Sequence, residues 1–225
     1  MDAGEGQQPF LGSIARAVGR MVELTSQLSA YAKEGKYQEK EIFLSDKLEE
    51  ALRMLGVDSN EKIKVEKNID AGQWKILADP NQVLQLLMNL LLNAIEAIGD
   101  KEGGIVLTLE NRSRMDMWEC SGHQQHPSGN YVHLRIGDSG GGIPDKLRES
   151  LFEPFVSSKA LGRGLGLAAA LGIAHNHGGC ITAQSIPGRG ATFHVFFPSR
   201  ESSLSSNKSL QQGNSSMPHG PENLN

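Results

Sequence analysis

Residues 86–98 read LLMNLLLNAIEAI. Apolar side chains, leucine first among them, fill most of this stretch, as in any buried helix, yet Asn89 and Asn93 interrupt it four residues apart. Asparagine is a mediocre helix former and is costly to bury without hydrogen-bond partners. Upstream, Asp79-Pro80-Asn81-Gln82 predicts the helix start. Asp79 can cap it, Pro80 suits the first turn, and Gln82 stands where a capping box wants Glu or Gln. On that helix Gln82, Gln85, Asn89, Asn93 and Glu96 fall along one face. Taken alone, an ordinary solvated stripe explains this face as well as a binding surface does.

The surrounding chain sets bounds. It has 225 residues, 38% of them hydrophobic, which supports a real core. The net charge of −4 and pI of about 6.0, with no long basic run, argue against a nucleic-acid surface. No apolar run approaches the ~20 residues that span a bilayer, and MDAGEGQQPF lacks the parts of a signal peptide. Two cysteines, Cys120 and Cys180, suggest neither a disulfide framework nor a metal cluster. These features predict a cytoplasmic, reducing setting and no membrane contact by this segment, although a longer parent protein could be membrane-anchored.

Composition and periodicity divide the chain. Residues 1–12 read as a disordered N-terminus. Over 13–34, apolar side chains at Ile14, Val18, Met21, Leu24, Leu28 and Tyr31 alternate at spacings of three and four, a coiled-coil type of stripe. This predicts a long helix, bounded at 13–40, that needs a partner helix or docks on the neighbouring domain. Residues 41–198 read as an α/β domain. LSDKLEEALRML is an amphipathic helix with Ser45 as its cap. KIKVEKNI, WKILA, GIVLTLEN and NYVHLRIGD are strands, and CITAQSIPG with ATFHVFFP forms a closing hairpin around Pro187-Gly188. Residues 199–225, rich in serine, cannot bury enough apolar area to offset ordering entropy, and read as a disordered tail or linker.

Two further stretches bear on the asparagines. IGDSGGGIP, residues 136–144, sets Asp138 at a strand end with a flexible glycine turn behind it. An acid there can accept a hydrogen bond from an amine such as that of adenine, though a plain Asp-Gly turn is the simpler reading of the stretch by itself. SKALGRGLGL, residues 158–167, leads three glycines into a helix, whose N-terminus offers N–H groups and a favourable dipole to phosphate. It is neither a Walker A loop nor a dinucleotide fingerprint.

Taken in order, the three stretches resemble the N, G1 and G2 boxes of the GHKL superfamily, which includes gyrase, Hsp90, MutL and the histidine kinases. LFEPFVSSK, residues 151–159, resembles the F box of sensor histidine kinases, and HNHGGCITAQSIPGRGATFHVFFP resembles the close of their catalytic domain. The similarity covers roughly residues 41–198, and the helix at 13–40 is similar to the second helix of the kinase dimerisation hairpin. The resemblance implies a Bergerat-type α/β two-layer sandwich with a mixed sheet and helices on one face. It implies ATP and Mg²⁺ as cofactors, with Asn93 as the metal ligand and Asn89 and Asn93 as the catalytic pair. Asp138 would read the adenine amine, with Gly140 and Gly142 giving space for the base. Gly162, Gly164, Gly166 and Leu167 would form the phosphate end and lid, with Lys159 close by. Implied partners are an acceptor histidine helix or hairpin, a response regulator receiver domain, and a second copy in the full-length homodimer.

One position separates kinase from hydrolase. Gyrase-like ATPases carry a glutamate general base four residues before the metal-binding asparagine, and here that position is Asn89, as in histidine kinases. The resemblance therefore implies a histidine kinase (a phosphotransferase). Two positions depart from the kinase pattern, Arg163 and Ala191, where Thr or Ser is common. A third departure is larger. The chain has no H-E-x-x-x-P-like segment, and its first histidine is His123. The expectation is a catalytic domain acting on a histidine elsewhere. The alternative is a non-catalytic, nucleotide-sensing module that signals through its N-terminal helix.

Overall fold

A computed structural model describes residues 38–57, 61–113, 129–156 and 164–200. Residues 13–37 of the expected coiled-coil helix, the tail from 201, Lys159 and Gly162 lie outside the described residues. Strand β1 (Lys40–Ile42) already occupies residue 40, so the helical segment read over 13–40 does not reach its last residue. β1 pairs antiparallel with β3 (Ile76–Ala78).

The main sheet has five strands in the order β2-β4-β5-β7-β6. They are β2 (Ile63–Ile69), β4 (Gly103–Arg112), β5 (Tyr131–Asp138), β6 (Cys180–Ser185) and β7 (Ala191–Pro198). β2 and β4 run parallel and every other pair is antiparallel, giving the mixed sheet expected. Three helices cover one face: α1 (Leu44–Leu55), α2 (Pro80–Ile98) and α3 (Gly166–Asn176). Alternation along each strand decides which side chains meet them. Ile105, Leu107 and Leu109 of β4, Val132, Leu134 and Ile136 of β5, and Phe193, Val195 and Phe197 of β7 join one core with Leu86, Leu87, Leu90 and Leu91 of α2. Four of the five leucines of the opening stretch are thus fully buried, Leu92 is exposed, and the asparagines stand on a flank of the same helix.

Helix ends correct two local expectations. α1 starts at Leu44, with Phe43 at the N-cap and no side-chain cap, so Ser45 lies inside the first turn. Burial of Leu44 and Leu48 on one face fixes that start. Asp79 does cap α2, its Oδ1 accepting from Asn81 N–H at 2.9 Å and Gln82 N–H at 3.2 Å. The capping box does not close, however, because the Asp79 N–H donates instead to His177 Nε2 at 3.0 Å. Gln82 Oε1 stays buried with no hydrogen-bond partner among the described residues.

The face of the sheet away from the helices carries its own cluster. Cys180, Tyr131 and Phe196 are buried there. Cys180 is disulfide-bonded, contrary to the expectation of free thiols. Two cysteines so far apart in sequence give no spacing signal. His133, 1% exposed, stacks on Phe196 with ring centroids 4.2 Å apart. Its Nδ1 pairs with Glu110 Oε1 at 2.9 Å and its Nε2 with His194 Nδ1 at 3.1 Å. Burial pushes the His133 imidazole down to about 4, opposed by the Glu110 hydrogen bond and aided by the charges of Arg112 and His194.

A folded pKa below the ~6.5 of an unfolded histidine means the native state excludes a proton that the unfolded chain binds. The stabilisation is complete above ~6.5 and is lost as pH falls toward 4. Thermal unfolding should therefore shift to lower temperature between about pH 7 and 4.5, and His133→Phe, which keeps the stack, should flatten that dependence. Parallel curves for the two proteins would contradict the assignment.

Candidate functional site

The site is built around the flank of α2. Gln82, Gln85, Asn89 and Asn93 are each half-buried, whereas Glu96 is exposed. The stripe is thus open to solvent at Glu96 and partly covered over the rest, where the two asparagines lie. Asn89 Nδ2 donates to the carbonyl oxygen of Gly166, the first residue of α3, at 3.1 Å. A Cβ added at Gly166 would meet the Asn89 side chain at ordinary contact distance, 3.8 Å. Asn89 therefore ties the two helices together. Asn93 lies one turn further along the same flank, and its amide makes no hydrogen bond among the described residues.

The α3 N-terminus itself is uncapped by any side chain, with Leu165 at the N-cap. Its leading N–H groups point out of the helix beside Asn89, the arrangement that suits an anion. Leu167 is partly buried and packs against the core. Gly164 does not end in open space. Its carbonyl accepts from Phe155 N–H at 3.0 Å, and a Cβ there would lie 2.6 Å from the Phe155 carbonyl carbon. Phe155 holds a left-handed φ of 67° and is 81% exposed, which costs free energy in a bulky residue and is sustained by this close pairing.

At the other end, β5 delivers Asp138 into the cleft, 9% exposed, with its Oδ2 fully buried. Its Oδ1 accepts from Gly140 N–H at 2.8 Å, which folds the loop back over the carboxylate. The glycines behind it are also packed closely by main-chain atoms. A Cβ at Gly140 would lie 2.5 Å from the Ala97 carbonyl group of α2, and one at Gly142 would lie 2.6 Å from the Ile186 oxygen. Their small size lets the loop pack on the end of α2 and on the β6–β7 hairpin. Only Gly141, passed over in the sequence, faces open space among the three.

The structure thus brings Asn89, Gly166 and the α3 N-terminus together beside the middle of α2, with Asn93 one turn further on, and sets Asp138, Gly140 and Gly142 at the C-terminal end of α2. Ser185 and Gly190, which hold the Asp138 loop, were not singled out by sequence. No group of three or more His, Cys, Asp or Glu side chains among the described residues could hold a metal ion. A cation at Asn93 would have to take most of its ligands from a bound anion and water. One neutral amide oxygen beside an anion-binding helix end fits such a hard, octahedral, water-retaining ion.

Residues 78–201 match the model of the histidine kinase-, DNA gyrase B- and HSP90-like ATPase family. The chain is similar to sensor histidine kinase ZraS of Klebsiella oxytoca, 31% identical over 196 residues, covering 87% of this chain and 39% of that protein. It is also similar to sensor kinase CckA of Brucella abortus, 34% identical over 205 residues, covering 87% of this chain and 21% of that protein. The chain therefore spans less than half the length of these relatives. Among solved structures it resembles the nucleotide-free catalytic domain of histidine kinase ThkA, with a TM-score of 0.57 and 29% identity over 72% of this chain and 96% of that one. ThkA in complex with the response regulator protein TrrA matches with a TM-score of 0.66 and 25% identity, over 88% of this chain and 53% of that one.

The Asn89 contact is testable without any ligand. Asn89→Asp keeps the shape but turns a donor into a carboxylate oxygen facing the Gly166 carbonyl. The expected cost at this half-buried site is ~1 kcal/mol, confined to the helix junction. Amide hydrogen exchange should speed up in the first turn of α3 and stay unchanged in β4 and β5. Unchanged exchange in α3 would show that the contact does not hold the helix.

Proposed function

Since the chain belongs to the histidine kinase-, DNA gyrase B- and HSP90-like ATPase family, we propose that it is the ATP-binding catalytic domain of a two-component sensor histidine kinase. It would transfer the γ-phosphate of Mg-ATP to a histidine outside these 225 residues. The observation that carries this reading is the Asn89 amide donating to the Gly166 carbonyl. A glutamate at 89 could act as a general base on water, but an amide cannot. An ionised carboxylate at this position would also face the Gly166 oxygen and be repelled. The residue that disfavours hydrolysis is thus the one that the helix junction requires.

Within this reading each end of the cleft has a task. Asp138 accepts a hydrogen bond from the adenine amine, its carboxylate aimed by the turn to Gly140. The α3 N-terminus receives phosphate, with Gly162, Gly164 and Lys159 completing the lid. Asn93 supplies an amide oxygen to Mg²⁺, which when bound neutralises charge on the β- and γ-phosphates. The protein's contribution is positioning and charge complementarity, as expected where little covalent chemistry falls to the enzyme. The acceptor would be a histidine-bearing helix or hairpin, in the same full-length protein or another chain. The phosphate would pass on to a response regulator receiver domain, with the full-length protein acting as a homodimer. The domain works on the cytoplasmic side. Among the described residues no helix is long and apolar enough to cross a membrane.

Two measurements test the proposal. Calorimetry should show Mg-dependent ATP binding, weakened roughly ten- to a hundred-fold by Asn93→Ala with the fold intact. Unchanged Mg-dependent affinity in that variant would remove Asn93 from the metal site. With γ-labelled ATP, the chain alone should take up no acid-labile phosphate and hydrolyse slowly. A fused acceptor hairpin should restore labelling, because tethering raises effective concentration. A fused protein that binds ATP normally yet stays unlabelled would favour a nucleotide-sensing module instead.

A further inference from the structure

The tip of the β6–β7 hairpin grips the Asp138 loop at several points, and one side chain joins the two. Ser185 Oγ accepts from Ile143 N–H at 2.8 Å and donates to the Gly190 carbonyl oxygen at 2.8 Å. Its single hydroxyl therefore bridges the far end of the loop and the return strand of the hairpin. Gly188 N–H donates to the Gly141 oxygen at 2.8 Å, and Arg148 donates to the Ser185 carbonyl at 2.8 Å. Gly190, with φ of 92°, lies so close to Asp138 that a Cβ there would overlap the Asp138 carbonyl oxygen. Gly142, with φ of 72°, is pressed in the same way against Ile186 and Ser185. The loop carrying Asp138 is thus clamped between α2 at Ala97 and the hairpin at Ser185.

We infer that Ser185 is a positioning residue for the base end of the cleft: its hydroxyl locks the hairpin onto residues 138–143 and so fixes the direction in which Asp138 presents its carboxylate. The inference rests on the nucleotide reading of the cleft and adds to it a determinant of base selection. Asp138 discriminates an amine from a carbonyl only if it cannot turn away. An acceptor held facing an acceptor is penalised, whereas one free to swing is solvated and tolerant. A clamp that involves no ligand contact can therefore set selectivity.

The test uses the 225-residue chain with Ser185→Ala and Ser185→Thr, measuring displacement of a fluorescent nucleotide by Mg-ATP, Mg-GTP and tripolyphosphate. Ser185→Ala should lose about ten-fold in ATP affinity, lose less for GTP, and keep its tripolyphosphate affinity, since the phosphate end lies at α3. Ser185→Thr, which keeps the hydroxyl, should restore the ATP preference. An unchanged ATP-to-GTP ratio in Ser185→Ala, or equal losses for ATP and tripolyphosphate, would reduce Ser185 to a structural residue and overturn the inference. Wild-type protein that binds neither ATP nor tripolyphosphate would instead overturn the nucleotide reading itself. A measurement on the wild type covers the case in which Ser185→Ala does not fold. Amide exchange at Ile143 and Gly188 should slow when ADP is added, and slow more than at β2 amides. Exchange there that ignores ADP would also overturn the inference.

Discussion

The Asp79 carboxylate is the point on which the rest of the arrangement turns. It accepts N–H groups from Asn81 and Gln82 at the start of α2, and its Oδ2 accepts from Gln38 N–H at 3.2 Å, where the chain enters the domain. Burial works against the charged form, but these backbone donors outweigh it and hold the carboxyl below its usual range. The backbone N–H of the same residue donates to His177, at the C-cap of α3. His177 Nδ1 lies 2.8 Å from the Ile173 oxygen, which leaves Nε2 to accept from the Asp79 N–H. One residue thus sets the start of α2, the end of α3 and the entry of the chain. The rotation of α2 follows from that anchor, and with it the direction of the asparagine flank.

Between the anchored ends the cleft is shaped by backbone approaching backbone. Gly140 on Ala97, Gly164 on Phe155 and Gly190 on Asp138 each occupy a place where a Cβ would collide with main-chain atoms. Glycine is used here less for loop freedom than for proximity, and the free-energy cost of ordering it is borne by hydrogen bonds at the same contacts. By contrast, Gly141, Gly172 and Gly188 meet nothing within 4 Å. Sequence makes no distinction between the two kinds.

Legibility followed the range of the interactions. The Asp79 cap, the leucine face of α2 and the strand alternation rest on neighbours within a few residues, and all were readable. The mixed sheet and its helical cover came through resemblance, since strand order has no local signature. Asn89 and Asn93 were visible as anomalies in a leucine run, but the Gly166 carbonyl that Asn89 serves lies on another helix. The expected Gln82 capping contact failed for the same reason, because His177 arrives from the far end of α3 to take the N–H. Ser185 looked like any hairpin serine, and the outer-face cluster of Glu110, His133 and His194 was spread over three strands.

Asparagine at 89 shows how fold and chemistry become inseparable in such a cleft. Its amide donates to the Gly166 carbonyl across the α2–α3 junction, a bond that an ionised carboxylate cannot make. In the kinase reading proposed above, the choice between activating water and excluding it is also a choice about how α3 is moored. A substitution toward the hydrolytic residue would disturb the mooring before it could supply a base, because the carbonyl it must face is fixed by the first turn of α3.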